Sequence, residues 1–391
     1  MKRKKERIIT HESKIEMEIE RIDLLLLKLP LVHAFETSQG REEDRTFIIV
    51  RIHAEGLCGY GEVVAGKSPS YSYETTSTAW SILKDFLIPH IFEHSISSPQ
   101  HFSETASFIK GHPMAKAGIE LALWDLEAKA NGLPLWKLYG GTKKEISAGV
   151  SIGIQDSISQ LLERIQAFLR EGYQRIKIKI KPGWDVQICR EVRQEFPDIV
   201  LQVDANGAYS LKDIIHLKKL DEFRLAMLEQ PFPAPDLWDH SKLRKEMTTR
   251  LCLDESILDR ESARKATEMG SCRIINIKAG RVGGIVEAKR IHDLCMEKSV
   301  PVWCGGMLES GIGRCHNIHL ASLPNFNLPN DISASRRYYT EDLIEPAVEI
   351  TPRGTIAVPE SPGLGFVPQE DRIERALVFR ETFGSVDFAK G

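Results

Sequence analysis

Three acidic residues stand one interval apart, each closing a short apolar run. They are Asp204 in Val203-Asp204-Ala-Asn206-Gly, Glu229 in Leu228-Glu229-Gln-Pro-Phe and Asp254 in Leu253-Asp254-Glu255-Ser256, with 25 residues from each acid to the next. A single acid after such a run ordinarily caps the helix that follows. Three at one spacing, gathered in one cavity, repel strongly unless a cation neutralises them. An all-oxygen set without histidine or cysteine suits a hard ion. Three carboxylates that leave positions for water and substrate suit Mg2+, with Mn2+ or a similar divalent ion able to replace it. Two lysines keep nearly the same interval: Lys179 precedes Asp204 by 25 residues and Lys278 follows Asp254 by 24. Two amines on either side of one bound carbon are arranged to move a proton on or off either face. A free lysine, with pKa ~10.4, is a poor base at neutral pH. Burial beside other cations, Lys177 near Lys179 and Arg281 near Lys278, is expected to lower that value toward the useful range.

Periodicity shows which elements carry these groups. In Arg175-Ile-Lys-Ile-Lys-Ile-Lys181, Ile176, Ile178 and Ile180 fall on one face of a strand, and Lys177 and Lys179 fall on the other. An edge strand can carry a solvated lysine face. A closed barrel has no edges, so there the isoleucines meet the surrounding helices and both lysines point inward. Similar β-rich runs occur at 147–152, 175–180, 200–205, 226–230, 251–254, 273–278, 301–304 and, weakly, 326–328. Helical stretches such as 185–195, 211–220 and 284–298 lie between them. Eight β/α units of roughly 25 residues predict an α/β fold of the (β/α)8 barrel type, whose C-terminal mouth collects the acids and sets Lys179 across from Lys278. A doubly wound sheet is the competing arrangement, and no G-x-G-x-x-G follows an early strand to support it.

Ahead of the barrel, residues 17–65 alternate apolar and polar with turn signals and read as an antiparallel meander. Their polar segment 33–45, with Gly40, is expected either to be a loop that acts as a lid, with Phe35 reaching the substrate, or equally to be an ordinary surface hairpin. Met114, Ala117, Leu121, Trp124 and Ala128 then recur at helical spacing, and Gly132 with Pro134 supplies the stop. Strands followed by helices make an α+β capping domain. The expected division is a basic extension over 1–16, the capping domain over 17–142, the barrel over 143–338 and a segment over 339–391 that returns to the capping domain.

Composition sets the class. The chain has 391 residues, 42% hydrophobic and 27% charged, the balance of a soluble globular protein. Its net charge of -3 gives no reason to expect nucleic acid or a membrane as partner. Residues 1–16 set Lys2, Arg3, Lys4, Lys5, Arg7 and Lys14 against Glu6, Glu12 and Glu16. No apolar stretch follows them, so they read as an extension and not a secretory signal, with Met17 an alternative start. The longest apolar run, over 24–32, is broken by Lys28 and Pro30 and falls short of the ~20 residues a membrane helix needs. Seven cysteines with no C-x-x-C pair argue against a disulfide framework and for a reducing, cytoplasmic setting. His316 and His319 lack a Cys/His partner pattern and are expected to pack and not to ligate. Trp303 and Met307, near a strand end, are expected as pocket lining or core filling.

At these residues the sequence resembles the enolase superfamily, in its muconate-lactonizing-enzyme subgroup, from about Met17 to Gly365. The resemblance is carried by Gly118-Ile-Glu-Leu-Ala-Leu-Trp-Asp-Leu, Lys177-Ile-Lys179, Asp204-Ala-Asn, Glu229-Gln-Pro, Asp254-Glu-Ser and Lys278. Within the subgroup four segments are similar to the o-succinylbenzoate synthase/N-acylamino acid racemase group. These are Lys179-Ile-Lys-Pro-Gly-Trp-Asp, Lys278-Ala-Gly-Arg-Val-Gly-Gly, Val302-Trp-Cys-Gly-Gly-Met-Leu-Glu-Ser-Gly-Ile-Gly-Arg and Asp331-Ile-Ser-Ala-Ser. The resemblance implies an enolase-like modified TIM barrel with Asp204, Glu229 and Asp254 on Mg2+ and Lys179 and Lys278 as the acid/base pair. Lys177 would polarise the substrate carboxylate, and Asn206, Arg281, Ser310 and Phe35 would contact substrate.

The implied step is abstraction of the proton α to a carboxylate, giving an enediolate. The implied substrate is a small carboxylate with a succinyl or acyl arm, and the implied assembly a homo-oligomer. Two reactions share that step: dehydration of a succinyl-hydroxycyclohexadiene carboxylate in menaquinone biosynthesis, and racemisation of an N-succinyl or N-acyl amino acid. Muconate cycloisomerase or dipeptide epimerase chemistry is the alternative on the same scaffold. Asp331 would then receive an α-amino group, although the Ile-Ser-Ala-Ser after it fits the acyl-substrate group better. A non-catalytic binding protein would have no need of three acids and two opposed lysines in register.

Overall fold

The computed structural model describes residues 18–384, so the basic stretch 1–16 and Met17 lie outside it. Two long strands, Ile19–Thr37 and Gly40–Ala54, are followed by Leu57–Val63. With Leu377–Gly384, the last strand among the described residues, they form a four-stranded antiparallel sheet in which that strand lies beside the first. The segment 33–45, read as a lid loop or a surface hairpin, is the hairpin end of a ribbon: Phe35 pairs with Glu42 and Thr37 with Gly40. Cross-strand pairing satisfies the backbone of these polar residues, so the ribbon forms without a strict apolar alternation.

Helix Pro113–Ala130 lies against this sheet, and Met114, Ala117, Leu121, Trp124 and Ala128 are all buried. Its backbone touches the third strand where neither side has a side chain: a Cβ on Gly61 would sit 2.0 Å from the Gly118 carbonyl oxygen. The helix also reaches the barrel. Glu120 accepts hydrogen bonds from the Ile285 and Val286 amides at 2.5 and 2.8 Å, at the start of helix Ile285–Glu297. Glu62 does the same at helix Gly311–Ala321, accepting from the amides of Ser310 and Gly313, both at 3.1 Å, and from Ser310 Oγ at 2.6 Å. Helix N-termini present unpaired amides and positive potential, so two carboxylates from the first sheet and its helix fasten it to the barrel. Burial pushes both carboxyl groups up, Glu62 to about 8 and Glu120 to about 7.

The barrel has seven parallel strands, hydrogen-bonded in chain order: Gly149–Ile152, Arg175–Lys179, Leu201–Asp204, Met227–Glu229, Leu251–Leu253, Ile274–Ile277 and Val302–Cys304. The eighth strand, expected over 326–328, does not form. Single bridges from Phe326 to Val302 and from Asn330 to Ala148 span the gap between the seventh and first strands. Pro324 and Pro329 remove amide donors that a ladder would need. The Asn330 side chain makes good part of the loss, accepting from the Cys304 amide at 2.8 Å and donating to the Ser147 carbonyl at 3.2 Å. Helices Val186–Glu195 and Ile285–Glu297 stand where the periodicity places them, while 211–220 breaks into short helical turns. Of the tail, Thr355–Ala357 pairs with Glu145–Ser147, and Leu377–Gly384 pairs with the first strand of the chain.

Inward side chains fill the barrel in layers. Met227, Cys252, Ile274 and Trp303 form an apolar plug at its base. Trp303 is therefore barrel filling, whereas Met307 lines the cavity above. His316 and His319 are packed with both ring nitrogens hydrogen-bonded to protein groups. His316 lies between the Tyr139 hydroxyl (3.0 Å) and the Tyr60 carbonyl (2.9 Å), and His319 between the Trp136 amide and the Leu364 carbonyl. All seven cysteines are free. Among the described residues no helix is long and apolar enough to cross a membrane.

Candidate active site

The strand alternation puts Ile176, Ile178 and Ile180 against the outer layer and turns Lys177 and Lys179 inward, all of them buried. Lys177 Nζ lies 3.3 Å from Asp204, 3.2 Å from Glu229 and 3.2 Å from Asp331, above the Trp303 ring. Lys179 donates to Asp204 Oδ2 at 2.6 Å and to Asn206 Oδ1 at 2.7 Å. Lys278, just past the sixth strand, donates to Asp254 Oδ2 at 2.8 Å and to the Tyr71 hydroxyl at 2.9 Å. All three lysines line one cavity of about 220 Å3.

Equal spacing does not put the three acids at equal height. Asp204 and Glu229 are register partners, but the partner of Glu229 on the fifth strand is Cys252. Asp254 stands two residues nearer the mouth, because strands in a barrel are staggered. Parity is kept, so all three acids still point inward, each at most 1% exposed. Glu229 accepts from Gln202 Nε2 at 2.7 Å and Asn276 Nδ2 at 2.8 Å. Those two residues precede Asp204 and Lys278 by two, on the same inward face, and the alternation that exposes the lysines would have exposed them too. Ser151, inward on the first strand, donates to Asp331 at 2.7 Å. Tyr71 comes from a segment with no periodic signal, and sequence reasoning misses it.

The electrostatics correct one expectation. Burial works against the Lys278 ammonium, but the Tyr71 oxygen and the carboxylates of Glu229 and Glu255 outweigh it and hold Lys278 protonated above its ordinary range. Lys177 is likewise held up, by Glu229, Asp331 and Asp204 against the cost of its burial. Arg281 beside Lys278 was expected to help lower that amine; the acids around it decide the sign. Burial and the nearby Asp204 charge push Glu255 up to about 7. Burial tends to raise Asp331, but Lys177 and Arg175 overcome it and bring the carboxyl down to about 2.

Asn206 and Phe35 stand on the cavity wall. The ribbon acts as a cover: Ser38 Oγ donates to the Ala205 carbonyl at 2.9 Å and Gln39 Nε2 to the Asn206 carbonyl at 3.1 Å. Phe35 then lies 5.9 Å from Lys179 Nζ. Arg281 and Ser310 are not on that wall. The Arg281 guanidinium spends its donors on Asp254, Tyr71 and the carbonyls of Ile257 and Asn276. Ser310 caps its own helix and is bonded to Glu62. Both were expected to contact substrate; the structure places them off the cavity wall, bonded to neighbouring elements.

Among the described residues, no three His, Cys, Asp or Glu side chains are gathered into a metal cage. Each of the three acids is turned onto a cation of the protein. The donor set nonetheless fits a hard divalent ion. It holds three fully buried carboxylates, and the buried oxygens Glu255 Oε2 and Asn276 Oδ1 have no hydrogen-bond partner.

Two family models match the chain: "Mandelate racemase / muconate lactonizing enzyme, N-terminal domain" over residues 21–140 and "Enolase C-terminal domain-like" over residues 160–372. The o-succinylbenzoate synthase of Geobacillus kaustophilus is 50% identical over 94% of this chain and 98% of that protein. The N-succinylamino acid racemase of Thermus thermophilus is 44% identical over 93% of this chain and 98% of its own length. A solved enolase-superfamily member from Listeria innocua superposes with TM-score 0.90 at 41% identity, covering 94% of this chain and all of that one. A dipeptide epimerase from Cytophaga hutchinsonii, solved with Mg and the dipeptide D-Ala-L-Val, superposes with TM-score 0.84 at 26% identity over 94% of this chain and 100% of its own.

Proposed function

The chain belongs to the mandelate racemase/muconate lactonizing enzyme family of the enolase superfamily, and from that premise we propose that it is an o-succinylbenzoate synthase with N-succinylamino acid racemase activity. One observation carries the reading: Lys179 and Lys278 face a single cavity, each hydrogen-bonded to a different member of a set of three buried acids. The identities of 50% and 44% to proteins of those two names support it.

Asp204, Glu229 and Asp254 would hold a divalent cation, Mg2+ by the hardness of the donors. When bound, it supplies positive charge against the developing enediolate and against the carboxylates that otherwise hold Lys278 protonated. Lys179 Nζ takes the proton α to the substrate carboxylate, breaking that C–H bond. Lys177 and Asn206 orient the carboxylate, and the Phe35 ribbon keeps water away. In the synthase reaction the C–O bond then breaks, and the proton held on Lys179 leaves with hydroxide as water. Lys278 contributes its charge alone. In racemisation Lys278 delivers a proton from the opposite face, so both amines must exchange protons.

Seven free cysteines support a reducing cytoplasmic setting. Asp331 is engaged by Lys177 and Ser151, which argues against its serving the amine of a dipeptide. The deciding experiment measures kcat/KM for the succinyl-hydroxycyclohexadiene carboxylate, for N-succinyl amino acids and for a hydrophobic dipeptide, with Mg2+ and with EDTA. Turnover of the first two, abolished by EDTA, is expected. Turnover of the dipeptide alone would overturn the reading in favour of an epimerase, and turnover persisting in EDTA would overturn the metal assignment.

A further inference from the structure

One buried cation beside the cavity has no part in this mechanism. Arg337 is 8% exposed, donates from Nη2 to the Ser151 carbonyl at 2.7 Å, and leaves Nε without a hydrogen-bond partner. Among the described residues no carboxylate pairs with it. Its guanidinium is set instead among the rings of Phe35, Phe168 and Tyr338, at 6.0, 5.2 and 4.9 Å. Aromatic faces offset only part of the cost of desolvating a guanidinium. Phe35, Ser151 and Tyr338 all line the cavity, so this unneutralised charge stands directly behind its wall.

The cations lining the cavity are spent: Lys177, Lys179 and Lys278 on buried acids, Arg45 on Glu42, and Arg41 on Glu36 and Asp156. Position matters as much as charge. The three acids close the third, fourth and fifth strands, whereas Arg337 bonds to the first strand and follows Asp331, on the other side of the barrel. The cavity that holds the lysines extends to Phe35, Ser151 and Tyr338, the residues against which Arg337 stands. Burial and the nearby Arg337 charge together lower Arg164, so the excess positive potential is felt by neighbours as well.

We propose that Arg337 is the specificity determinant for a remote carboxylate on the acyl arm of the substrate, selecting dianionic succinyl substrates over uncharged acyl ones. The inference rests on the α-proton chemistry proposed above and names the group that reads the arm. The test compares racemisation of the N-succinyl and N-acetyl forms of one amino acid by the Mg2+-loaded enzyme, as wild type, Arg337→Met and Arg337→Lys. In wild type the succinyl form is expected to be preferred. In Arg337→Met the ratio of the two kcat/KM values should fall about tenfold, through KM of the succinyl form and not through kcat, with partial recovery in Arg337→Lys.

Inhibition of wild type gives a readout independent of variant folding. N-butanoylglycine, an arm of similar length without the charge, should inhibit about tenfold more weakly than N-succinylglycine. An unchanged ratio in folded Arg337→Met, or equal inhibition by the two glycine derivatives, overturns the proposal. A wild type that turns over neither N-acyl form nor the diene overturns the parent reading, and this inference with it.

Discussion

Removing the charge of Lys177 tests how the buried acids are held. Its Nζ lies within 3.3 Å of Asp204, Glu229 and Asp331. At an effective dielectric constant near 20, one such contact amounts to about 5 kcal/mol before desolvation is subtracted. Three contacts do not add, because burying the ammonium returns much of that energy. Breaking a buried pair by deleting one partner costs about 3–5 kcal/mol net. Lys177→Met keeps the volume and an apolar contact with the Trp303 ring, so little of the loss is a cavity effect. Taking about 4 kcal/mol and 2–4 °C per kcal/mol for a barrel of roughly 200 residues, the melting midpoint in EDTA should drop by about 8–16 °C. A ligand that binds only the folded state stabilises by mass action. Because the variant carries one more uncompensated carboxylate, millimolar Mg2+ should raise its midpoint more than that of wild type. Thermal melts by near-ultraviolet circular dichroism, with EDTA and with Mg2+, read both effects. A variant within about 2 °C of wild type in EDTA would refute the claim that lysine charge holds the acids. An equal Mg2+ shift in both proteins would refute the claim that those acids receive the ion.

Lys179→Ala and Lys278→Ala should each abolish racemisation, a loss of about 10^3-fold or more in kcat, while Lys278→Ala should spare more of the synthase reaction; full racemase activity in Lys278→Ala would sink the two-base assignment. Burial holds His316 down at about 4 and His319 at about 3. Both bind protons more weakly folded than unfolded, so the stability they confer is complete above pH ~6.5 and is lost as pH falls toward those values. The loss is on the order of 3–5 kcal/mol per residue. Urea midpoints of wild type against His319→Gln between pH 7 and 4 check this, and parallel profiles contradict it. Gly61→Ala should cost more than about 2 kcal/mol in denaturant unfolding, because its Cβ would meet the Gly118 carbonyl oxygen, an unyielding backbone atom; a near-wild-type midpoint would show that helix and strand are not in contact there.

Much of the site was legible in the sequence because barrel chemistry is written in two periods. The interval of about 25 residues marks successive strand ends, and the two-residue alternation marks which side chains turn inward. Together they place Lys177, Lys179, Asp204, Glu229, Asp254 and Lys278 around one mouth. Applied further, the same alternation reaches Gln202 and Asn276, the amides that hold Glu229. The ribbon over 33–45 was less legible, since its polar residues look like a loop until cross-strand pairing satisfies their backbone. The missing eighth strand could have been read from Pro324 and Pro329.

Other features depend on segments distant in the chain and carry no local signal. Tyr71 meets Lys278 across 207 residues, and Glu62 and Glu120 find helix N-termini in another part of the molecule. The sign of the lysine shifts belongs here too. Sequence neighbours suggested depression by cations, but the charges that count are those nearest in space, and for Lys278 these are the Tyr71 oxygen and carboxylates of other strands. By itself the sequence determined the kind of fold and which groups face inward, because spacing and parity are properties of a chain. Which inward groups touch, at what height and in what state of charge, was decided only by the tertiary structure, through strand stagger, docking and burial.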